Sequence, residues 1–478
     1  MITKALIPAA GAGVRAYPAT TYIPKVMLEI AGKPVILRNI EIMRDRLGIK
    51  DIWAITGYMG DTIKSFLKDG SRFGVKIQYI DCDDHASGLA KGILLAKDRI
   101  KEDFVTILGD EVYINSNHAI LKGMDMGGLA AACCLLRSDD FKMIAKNYTV
   151  KLKGDRVASL EEKPNKADGP VLGIGTYIFT PEIFGAIERT KPSKKSGRVE
   201  LTDAINTLVR EGKAVRGIFL EGEYHNINSV EDYNYANYMY RSTFFSSFKT
   251  SVVIPAYNEE ESIGCVVKDF AGKVDEVFVV DNSSADRTRR VAEQAGARVE
   301  TVKLKGYGDT IKYGLDHAKG DILIVVEADH SFRAKDLGKF LEYLKDSDMV
   351  IGTRTTRQMI EQGANMKGAL RWGNVAVGKL VEALWWGQEP RFTDVGCTYR
   401  AIWRDTYMKI RDRLSGTGPE FSPEMMIEVL RARKRIVEIP ISYYKRATGV
   451  SKHSQNYLKV SKTALRMLKM IFKKRFAA

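Results

Sequence analysis

The sequence is poor in the residues and patterns that build disulfide frameworks, zinc sites and membrane spans. Its 478 residues include five cysteines, at positions 82, 133, 134, 265 and 397. Their odd number and the lack of CxxC spacing disfavour a disulfide framework and a zinc site, and favour a reducing cytoplasm. No uninterrupted apolar run reaches the roughly 18 residues of a spanning helix. No charged start with an apolar stretch and a cleavage site opens the chain. The sequence therefore predicts a cytoplasmic protein without a transmembrane helix.

Acidic residues are also missing from the end of the chain. No Asp or Glu follows Glu438, although Lys and Arg are frequent there and the whole chain has a net charge of +15. Apolar residues recur among these cations at helical intervals, which predicts a basic amphipathic helix over 456–478. This helix either lies on the inner face of an anionic membrane or packs on its own domain with a solvated basic face. No helix-turn-helix, RRM or zinc-finger pattern accompanies the charge, so no nucleic-acid partner is expected.

One pattern of strand and turn occurs twice in the chain. An apolar strand runs into a proline-containing turn at 6–13 and again at 252–258, and each is followed much later by an apolar strand that ends in acid, at 105–110 and 322–329. Strand and helix patterns alternate around them, which predicts βαβ units and a mostly parallel sheet in each half. We expect domains at 1–240 and 251–455 with a connector at 241–250. Ligands bind beyond the carboxyl ends of such strands, so two nucleotide sites are expected, each able to hold a divalent cation.

The first site is predicted around a glycine-rich loop. The loop residues Ala10, Gly11, Ala12 and Gly13 directly follow a strand, and glycine lets backbone amides approach a phosphate chain closely. Arg15 and Lys25 add cations that neutralise phosphate charge. The run that continues through Pro18, Pro24 and Pro34 resembles the signature of the sugar-phosphate nucleotidyltransferases, the sugar-nucleotide pyrophosphorylases. This resemblance implies reaction of an NTP with a sugar 1-phosphate to give an NDP-sugar and pyrophosphate.

Further motifs follow in the order of that family. The resemblance implies that Gly88 belongs to the turn that contacts the base, and that Asp110 holds Mg²⁺ or Mn²⁺. It also implies that the sugar is bound by Glu162, Lys163 and Gly175. Asn226 stands where many members carry an Asp as second metal ligand, and its carbonyl oxygen remains a suitable ligand. UTP, dTTP, CTP and GTP all remain open as the nucleotide.

The second half resembles another family. The stretches 252–261 and 279–288 resemble the family 2 inverting glycosyltransferases of the GT-A fold, closest to the dolichol-phosphate mannose synthase-like branch. The two resemblances together imply an α/β protein of two Rossmann-like mixed-sheet domains, a nucleotidyltransferase fold followed by a GT-A fold. Glu327 and Asp329 stand where this family has its DxD metal motif. The residues expected to bind the nucleotide sugar are Pro255, Tyr257, Glu259, Asp281 and Gly308.

The acceptor of the second site is expected to carry a phosphate. A phosphate is already anionic, so cations that hold it matter more than a base; the candidates are Arg354, Arg371, Arg400, Arg446 and Lys452. Asp394 is either a catalytic base or a structural, cation-pairing carboxylate. The sequence thus predicts a bifunctional enzyme in glycolipid or cell-surface glycan synthesis, with polyprenyl phosphate as the leading acceptor. The alternatives are a small soluble phosphorylated acceptor and, in another class, a nucleotide-sugar-binding scaffold or sensor.

Overall fold

The protein divides into two compact units, Met1–Tyr240 and Arg241–Ala478. The computed structural model describes residues 2–84, 88–166, 169–362, 364, 369–446 and 457–476. Each unit is a mixed α/β structure, which confirms the predicted fold class. Within the described ranges, every helix is too short or too polar to cross a bilayer.

The first unit is built on a nine-stranded sheet. Its strands and helices are β1 (Lys4–Ala9), β2 (Glu29–Ile30), β3 (Lys33–Pro34), α1 (Val35–Glu41), β4 (Asp51–Thr56), α2 (Gly60–Leu67), β5 (Lys76–Asp81), α3 (Leu89–Leu94), β6 (Phe104–Ile107), β7 (Glu111–Ile114), β8 (Ala131–Arg137), α4 (Phe141–Lys146), β9 (Tyr148–Lys153), β10 (Arg156–Glu162), β11 (Val171–Phe179), α5 (Glu182–Arg189), α6 (Leu201–Arg210), β12 (Val215–Phe219), β13 (Glu223–Asn226) and α7 (Val230–Thr243).

The strand order of this sheet is β5-β4-β1-β6-β11-β8-β12-β10-β9. Strands β5, β4, β1 and β6 are parallel, whereas β11 is antiparallel to both of its main neighbours, β6 and β8. Successive residues of β1 alternate between two buried cores, one on each face, because side chains alternate along a strand: Ile7 packs in one core and Leu6 in the other. Because β1 and β6 are parallel neighbours, their carboxyl ends lie at the same edge of the sheet.

The second unit is built on a seven-stranded sheet. Its elements are β14 (Thr250–Ala256), α8 (Ile263–Phe270), β15 (Glu276–Asp281), α9 (Thr288–Gln294), β16 (Arg298–Thr301), α10 (Tyr307–His317), β17 (Ile322–Val325), α11 (Leu337–Leu344), β18 (Met349–Thr353), α12 (Ala369–Leu384), β19 (Arg400–Trp403), α13 (Arg404–Ile410), α14 (Phe421–Arg431), β20 (Ile436–Pro440) and α15 (Tyr457–Phe476). Its strand order is β16-β15-β14-β17-β19-β18-β20, with β19 antiparallel to β17 and β18.

The segment that precedes β14 is packed against the second unit. Phe245 and Phe248 both contact the Trp403 ring edge-on, with ring centroids 6.3 and 4.8 Å away. The Arg241 guanidinium is buried and pairs with the Asp348 carboxylate at 2.8 Å. Burial raises the pKa of Asp348, but the charges of Lys434 and Arg241 outweigh it and lower this pKa to about 2. The end of α7 is thus fixed by a buried ion pair, and the residues between α7 and β14 are fixed by aromatic packing.

Candidate active sites

The first candidate site lies where β1 and β6 end. The Lys25 ammonium, on a side chain that is 9% exposed, pairs at 2.5 Å with the carboxylate of Asp110, the third residue after β6. Gly13 has a φ of +61°, and a Cβ there would lie 2.9 Å from the Lys25 Cβ. Only glycine accepts both the left-handed backbone and this close approach. The glycine loop, a lysine and a carboxylate therefore converge, as predicted for a phosphate and metal site.

Strand pairing brings Asn226 close to Asp110. Strand β13 runs antiparallel to β7, and Asn226 lies opposite Glu111, the residue after Asp110. The Asn226 side chain donates to Asn147 Oδ1 at 3.1 Å, while its own Oδ1 is buried and accepts no hydrogen bond within the described part of the chain. A buried oxygen left without a donor is costly. A bound cation would satisfy this oxygen, because carboxylate and amide oxygens are ligands for hard divalent cations. Asp110 and Asn226 therefore fit such a cation.

The residue that follows Asp110 is a buried carboxylate, Glu111. Glu111 is 1% exposed and accepts hydrogen bonds from the Tyr113 hydroxyl at 2.5 Å, the Tyr224 hydroxyl at 2.6 Å and the Gly175 amide at 2.8 Å. Burial, with a smaller effect of the neighbouring Asp110 charge, raises the pKa of Glu111 to about 7. A Cβ on Gly175 would lie 2.4 Å from this carboxylate. The Gly175 amide is thus bonded to Glu111, and its lack of a side chain makes room for Glu111; the sugar contact of Gly175 stays a prediction.

The other predicted sugar residues lie beside a basic loop. Lys163 has a φ of +44°, an unusual backbone for a side-chain-bearing residue. Its amide donates to the Asn147 carbonyl at 2.7 Å. Burial raises the pKa of Glu162, which pairs with the Lys163 ammonium at 3.5 Å. The side chain of Arg198 lies against Gly88, where a Cβ would come 3.4 Å from the Arg198 Cβ. The Lys195 ammonium, in the same loop as Arg198, donates to the Lys163 carbonyl at 3.5 Å, so the residues predicted to contact the base and the sugar lie beside one loop.

The second candidate site lies at the carboxyl ends of β14, β15 and β17. Asn258, Ser283 and His330, one after each strand, have positive φ angles of 54°, 57° and 64°. Such backbone strain in side-chain-bearing residues clusters at functional sites. The first two loops are joined, because the Asn258 amide donates to the Ser284 hydroxyl and the Ala285 amide donates to Asn258 Oδ1, both at 2.9 Å.

Asp281 holds these loops in place. One of its carboxylate oxygens accepts from the Ser284 amide and hydroxyl, and the other accepts from the Thr301 hydroxyl at 3.1 Å. The residue is 2% exposed. Both oxygens of Asp281 are thus bonded inside the protein, and its contact with the nucleotide sugar stays a prediction. Tyr257, in the preceding loop, is 48% exposed.

Glu327 and Asp329 share one cation. The Arg446 guanidinium lies 3.6 Å from Glu327 Oε2 and 2.8 Å from Asp329 Oδ2. The other Glu327 oxygen accepts from the Thr398 hydroxyl at 2.7 Å. Burial and the charge of Asp329 raise the pKa of Glu327 to about 7. Because one guanidinium already contacts both carboxylates, the two residues are close enough for a single cation to bridge them.

Three predicted acceptor-side residues are bonded inside the protein. Asp394 is fully buried in a bidentate ion pair with Arg354, at 2.8 and 2.9 Å, which favours the cation-pairing alternative over a catalytic base. Arg400 is 2% exposed, and its guanidinium donates to the backbone carbonyls of Ser422 and Cys397. The acceptor contacts of Arg354 and Arg400 stay predictions.

The remaining acceptor-side candidates are Arg371, Arg446 and Lys452. Arg371, on α12, lies with its guanidinium 5.5 Å from the ring centre of Trp372. Lys452 is outside the described residues. Arg446 is a predicted acceptor-side cation that the structure brings to Glu327 and Asp329.

Comparison with known families identifies the chain. The family model for nucleotidyl transferases matches residues 4–243, just over half of the sequence. The chain belongs to the nucleotidyl transferase family. The model for family 2 glycosyl transferases matches residues 251–398. Both resemblances predicted from the sequence are thereby confirmed.

The curated relatives of this nucleotidyl transferase align with its first half. The low-salt glycan biosynthesis nucleotidyltransferase Agl11 of Haloferax volcanii is 32% identical over 238 residues, 49% of this chain and 65% of its own length. The glucose-1-phosphate thymidylyltransferase of Streptomyces griseus is 32% identical over 48% of this chain and 63% of its own length. The chain thus spans less than two thirds of these two relatives. The UTP–glucose-1-phosphate uridylyltransferase AglF of Haloferax volcanii is 32% identical, over 48% of this chain and 93% of its own length.

A solved structure also aligns with this half. UDP-glucose pyrophosphorylase complexed with UDP-glucose covers 51% of this chain and 100% of its own, with 26% identity and a TM-score of 0.46.

Three residues of the nucleotidyl transferase site were not predicted from the sequence. Asn147 joins Tyr224, Asn226 and the Lys163 amide. Asn228 accepts from the Arg15 guanidinium at 2.8 Å, and Glu111 supports the strand end. Glu111 follows the predicted Asp110, and Asn228 lies two residues after the predicted Asn226. This proximity in sequence could have indicated both residues. Asn147 has no such local signal, because Lys163, Tyr224 and Asn226, which it joins, lie at least sixteen positions away in sequence.

Proposed function

We propose that this chain is a bifunctional enzyme that makes a nucleotide sugar in its first unit and uses it in its second. The observation that carries the first reaction is the Lys25–Asp110 pair under the glycine loop, together with the Asn226 Oδ1, which accepts no hydrogen bond from the residues that the structure describes. The relatives' names support a pyrimidine NTP with glucose 1-phosphate as the first substrate pair to test. The chain as a whole is proposed to act in glycolipid or cell-surface glycan synthesis.

The first reaction needs positioning and positive charge more than a base. A phosphate oxygen of the sugar 1-phosphate attacks the α-phosphorus of the NTP, a new P–O bond forms, and pyrophosphate leaves with the electrons of the broken P–O bond. The nucleophile is already anionic, so no proton has to be removed. In our proposal Arg15 and Lys25 hold the phosphates, and Glu162 and Lys163 orient the sugar. Asp110 and Asn226 would hold Mg²⁺ or Mn²⁺, which supplies charge neutralisation at the reacting phosphates.

In the second reaction we propose an inverting transfer to a phosphate-bearing acceptor. The acceptor phosphate oxygen attacks the anomeric carbon from the face opposite the nucleoside diphosphate, which leaves with the bonding electrons. Glu327 and Asp329 would hold a divalent cation on the diphosphate. Arg446, which balances these carboxylates in the structure, would then be free to pair with phosphate. The outer face of α15 supports a polyprenyl phosphate acceptor at a membrane, with Leu465 and Phe476 exposed at 66% and 76% among basic residues.

A substrate screen on the full chain tests this proposal. Four NTPs are combined with a panel of sugar 1-phosphates and pyrophosphate release is measured; we expect UTP or dTTP with glucose 1-phosphate to react. Asp110→Asn lowers kcat roughly 100-fold or more, because it removes a charge at the reacting phosphates. The control Asp98→Asn, on a side chain that is 92% exposed, leaves the rate unchanged. The product is then offered to polyprenyl phosphate and to soluble phosphorylated acceptors, and NMR reads the anomeric configuration.

The outcomes separate the two reactions. Asp329→Asn is expected to lose glycosyl transfer while pyrophosphate release continues. If Asp110→Asn kept its full rate, the first site would be wrongly assigned. Transfer to a soluble acceptor alone would rule out the polyprenyl phosphate proposal, and binding of nucleotide sugar without turnover by either unit would indicate a sensor.

A further inference from the structure

One lysine of the last helix enters the interior of the second unit. Lys474, on α15, is 8% exposed, and its ammonium lies 2.8 Å from Glu424 Oε1 and 2.9 Å from Glu428 Oε1. It also donates to the Arg413 carbonyl. Both glutamates, on α14, are fully buried. A buried charge needs such partners, so this inner face of α15 is built into the unit, whereas its outer face is exposed.

The Glu424 carboxylate shapes the loop that precedes α14. It accepts hydrogen bonds from the Ser415 amide at 3.0 Å, the Ser415 hydroxyl at 2.8 Å and the Gly416 amide at 2.7 Å. Burial alone would raise the pKa of Glu424, but the hydrogen bonds from Lys474 and this loop lower it. The loop at 415–417 is therefore held by an ionised carboxylate whose charge partner is Lys474.

This loop is in turn packed on the start of α10. The Gly308 amide donates to the Thr417 carbonyl at 2.8 Å. A Cβ on Gly308 would lie 2.4 Å from the Gly416 carbonyl oxygen, and one on Gly306 would lie 2.6 Å from the Thr417 carbonyl oxygen. The loop thus fixes the backbone on both sides of Tyr307.

Tyr307 connects that turn to the candidate site. Its hydroxyl hydrogen-bonds with the Thr398 hydroxyl at 2.5 Å, and Thr398 donates to Glu327 Oε1 at 2.7 Å. A continuous series of polar contacts therefore runs from Lys474 through Glu424 and the 415–417 loop to Glu327.

We propose that Lys474 is a positioning residue for the glycosyltransferase site, acting through Glu424 and the 415–417 loop on the turn that carries Tyr307. This role rests on the glycosyl transfer proposed above. In this proposal the inner face of α15 supports glycosyl transfer, and this role is independent of any function of its outer face.

The test compares three variants of the full chain. Lys474→Met is expected to raise the KM for the nucleotide sugar about tenfold, the effect of losing one charge-assisted contact, with a smaller change in kcat. It also speeds hydrogen exchange at the Ser415 and Gly416 amides. Lys474→Arg restores most of both properties, because it keeps the charge. Met470→Ala is the matched control: it removes buried packing from the same helix without touching Glu424.

The control decides between positioning and general support. If Met470→Ala raised KM and exchange as much as Lys474→Met does, the positioning role would be excluded. Unchanged exchange at Ser415 and Gly416 in Lys474→Met would also overturn it. If the wild-type protein transferred no sugar, the proposed function would fail, and the amide exchange would still decide whether Lys474 controls the loop.

Discussion

His118 shows how a residue type that suggests catalysis serves the structure instead. It is fully buried after β7, and its ring nitrogens hydrogen-bond with the Ser116 hydroxyl at 2.8 Å and the Thr176 hydroxyl at 3.1 Å. Burial lowers the pKa of His118 to about 4. His118 is therefore a neutral part of the core at neutral pH.

The lowered pKa predicts a pH-dependent stability. The unfolded chain binds a proton at His118 below a pKa of about 6.5, whereas the folded chain does so near 4, so the free energy of unfolding falls as the pH decreases between these values. At pH 5 this one group costs about 2 kcal/mol relative to neutral pH. His118→Gln is expected to remove this loss, as measured by amide exchange in β7 and β11.

The stabilities of the variant and the wild type have to be compared at each pH, because a second group, Glu111, also changes its charge in this range. The raised pKa of Glu111 acts in the opposite direction, because stability is lost as pH rises through the range between its unfolded and folded pKa values. An identical loss of stability between pH 7 and pH 5 in both proteins would contradict the assignment to His118.

At the scale of elements, two helical glycines have opposite surroundings. Gly314 lies in α10, where a Cβ would come 2.2 Å from Val253 Cγ1 of β14. Gly338 lies in α11, where a Cβ would meet nothing within 4 Å. Helix propensity favours alanine at both positions, so packing alone distinguishes them.

This contrast predicts effects of opposite sign. Gly314→Ala pushes α10 away from the sheet and is expected to destabilise the protein by about 1–3 kcal/mol. Gly338→Ala is expected to be neutral or to stabilise it by up to about 1 kcal/mol. Thermal unfolding of the two variants checks both values. Equal stabilisation by both substitutions would show that α10 does not pack on β14 through Gly314.

At the scale of the whole molecule, exposed apolar side chains gather on adjoining helices of the second unit. Leu465, Phe472 and Phe476 are exposed on α15, and Trp386 is 77% exposed in the turn after α12. The Arg475 guanidinium lies 6.0 Å from the Trp385 ring centre, which brings the ends of these helices together. Basic residues flank the apolar ones, a composition typical of a helix that lies on an anionic membrane.

Vesicle binding tests this surface. Full-length protein is expected to pellet with vesicles that contain anionic lipid, less so at high salt because the charges are screened. Replacing Leu465, Phe472 and Phe476 together by Ser is expected to weaken binding about tenfold or more, since buried apolar area is lost. The control Tyr343→Ser changes an aromatic side chain on α11 that is 49% exposed. Equal pelleting of all three proteins would remove the membrane role and leave α15 as a packed helix.

The sequence by itself determined the elements whose signals are local. The spacing of apolar residues predicts a strand over 51–56 and a helix over 307–317, and β4 (Asp51–Thr56) and α10 (Tyr307–His317) have these bounds. The same spacing predicts a helix from Ala285, whereas α9 begins three residues later, at Thr288. Its first turn is preceded by an Asp286 carboxylate that accepts from the Thr288 amide.

Tertiary structure alone decided which of the predicted side chains are free to act. Asp281 and Asp394 were predicted as active-site acids, and each is bonded to a partner far away in sequence: Thr301, 20 positions from Asp281, and Arg354, 40 positions from Asp394. The register of β13 on β7 brings Asn226 beside Asp110, and the fold brings Lys474 to Glu424. A carboxylate's chemistry depends on whether its oxygens are already bonded. That depends on contacts between distant segments, which no local pattern in the sequence encodes.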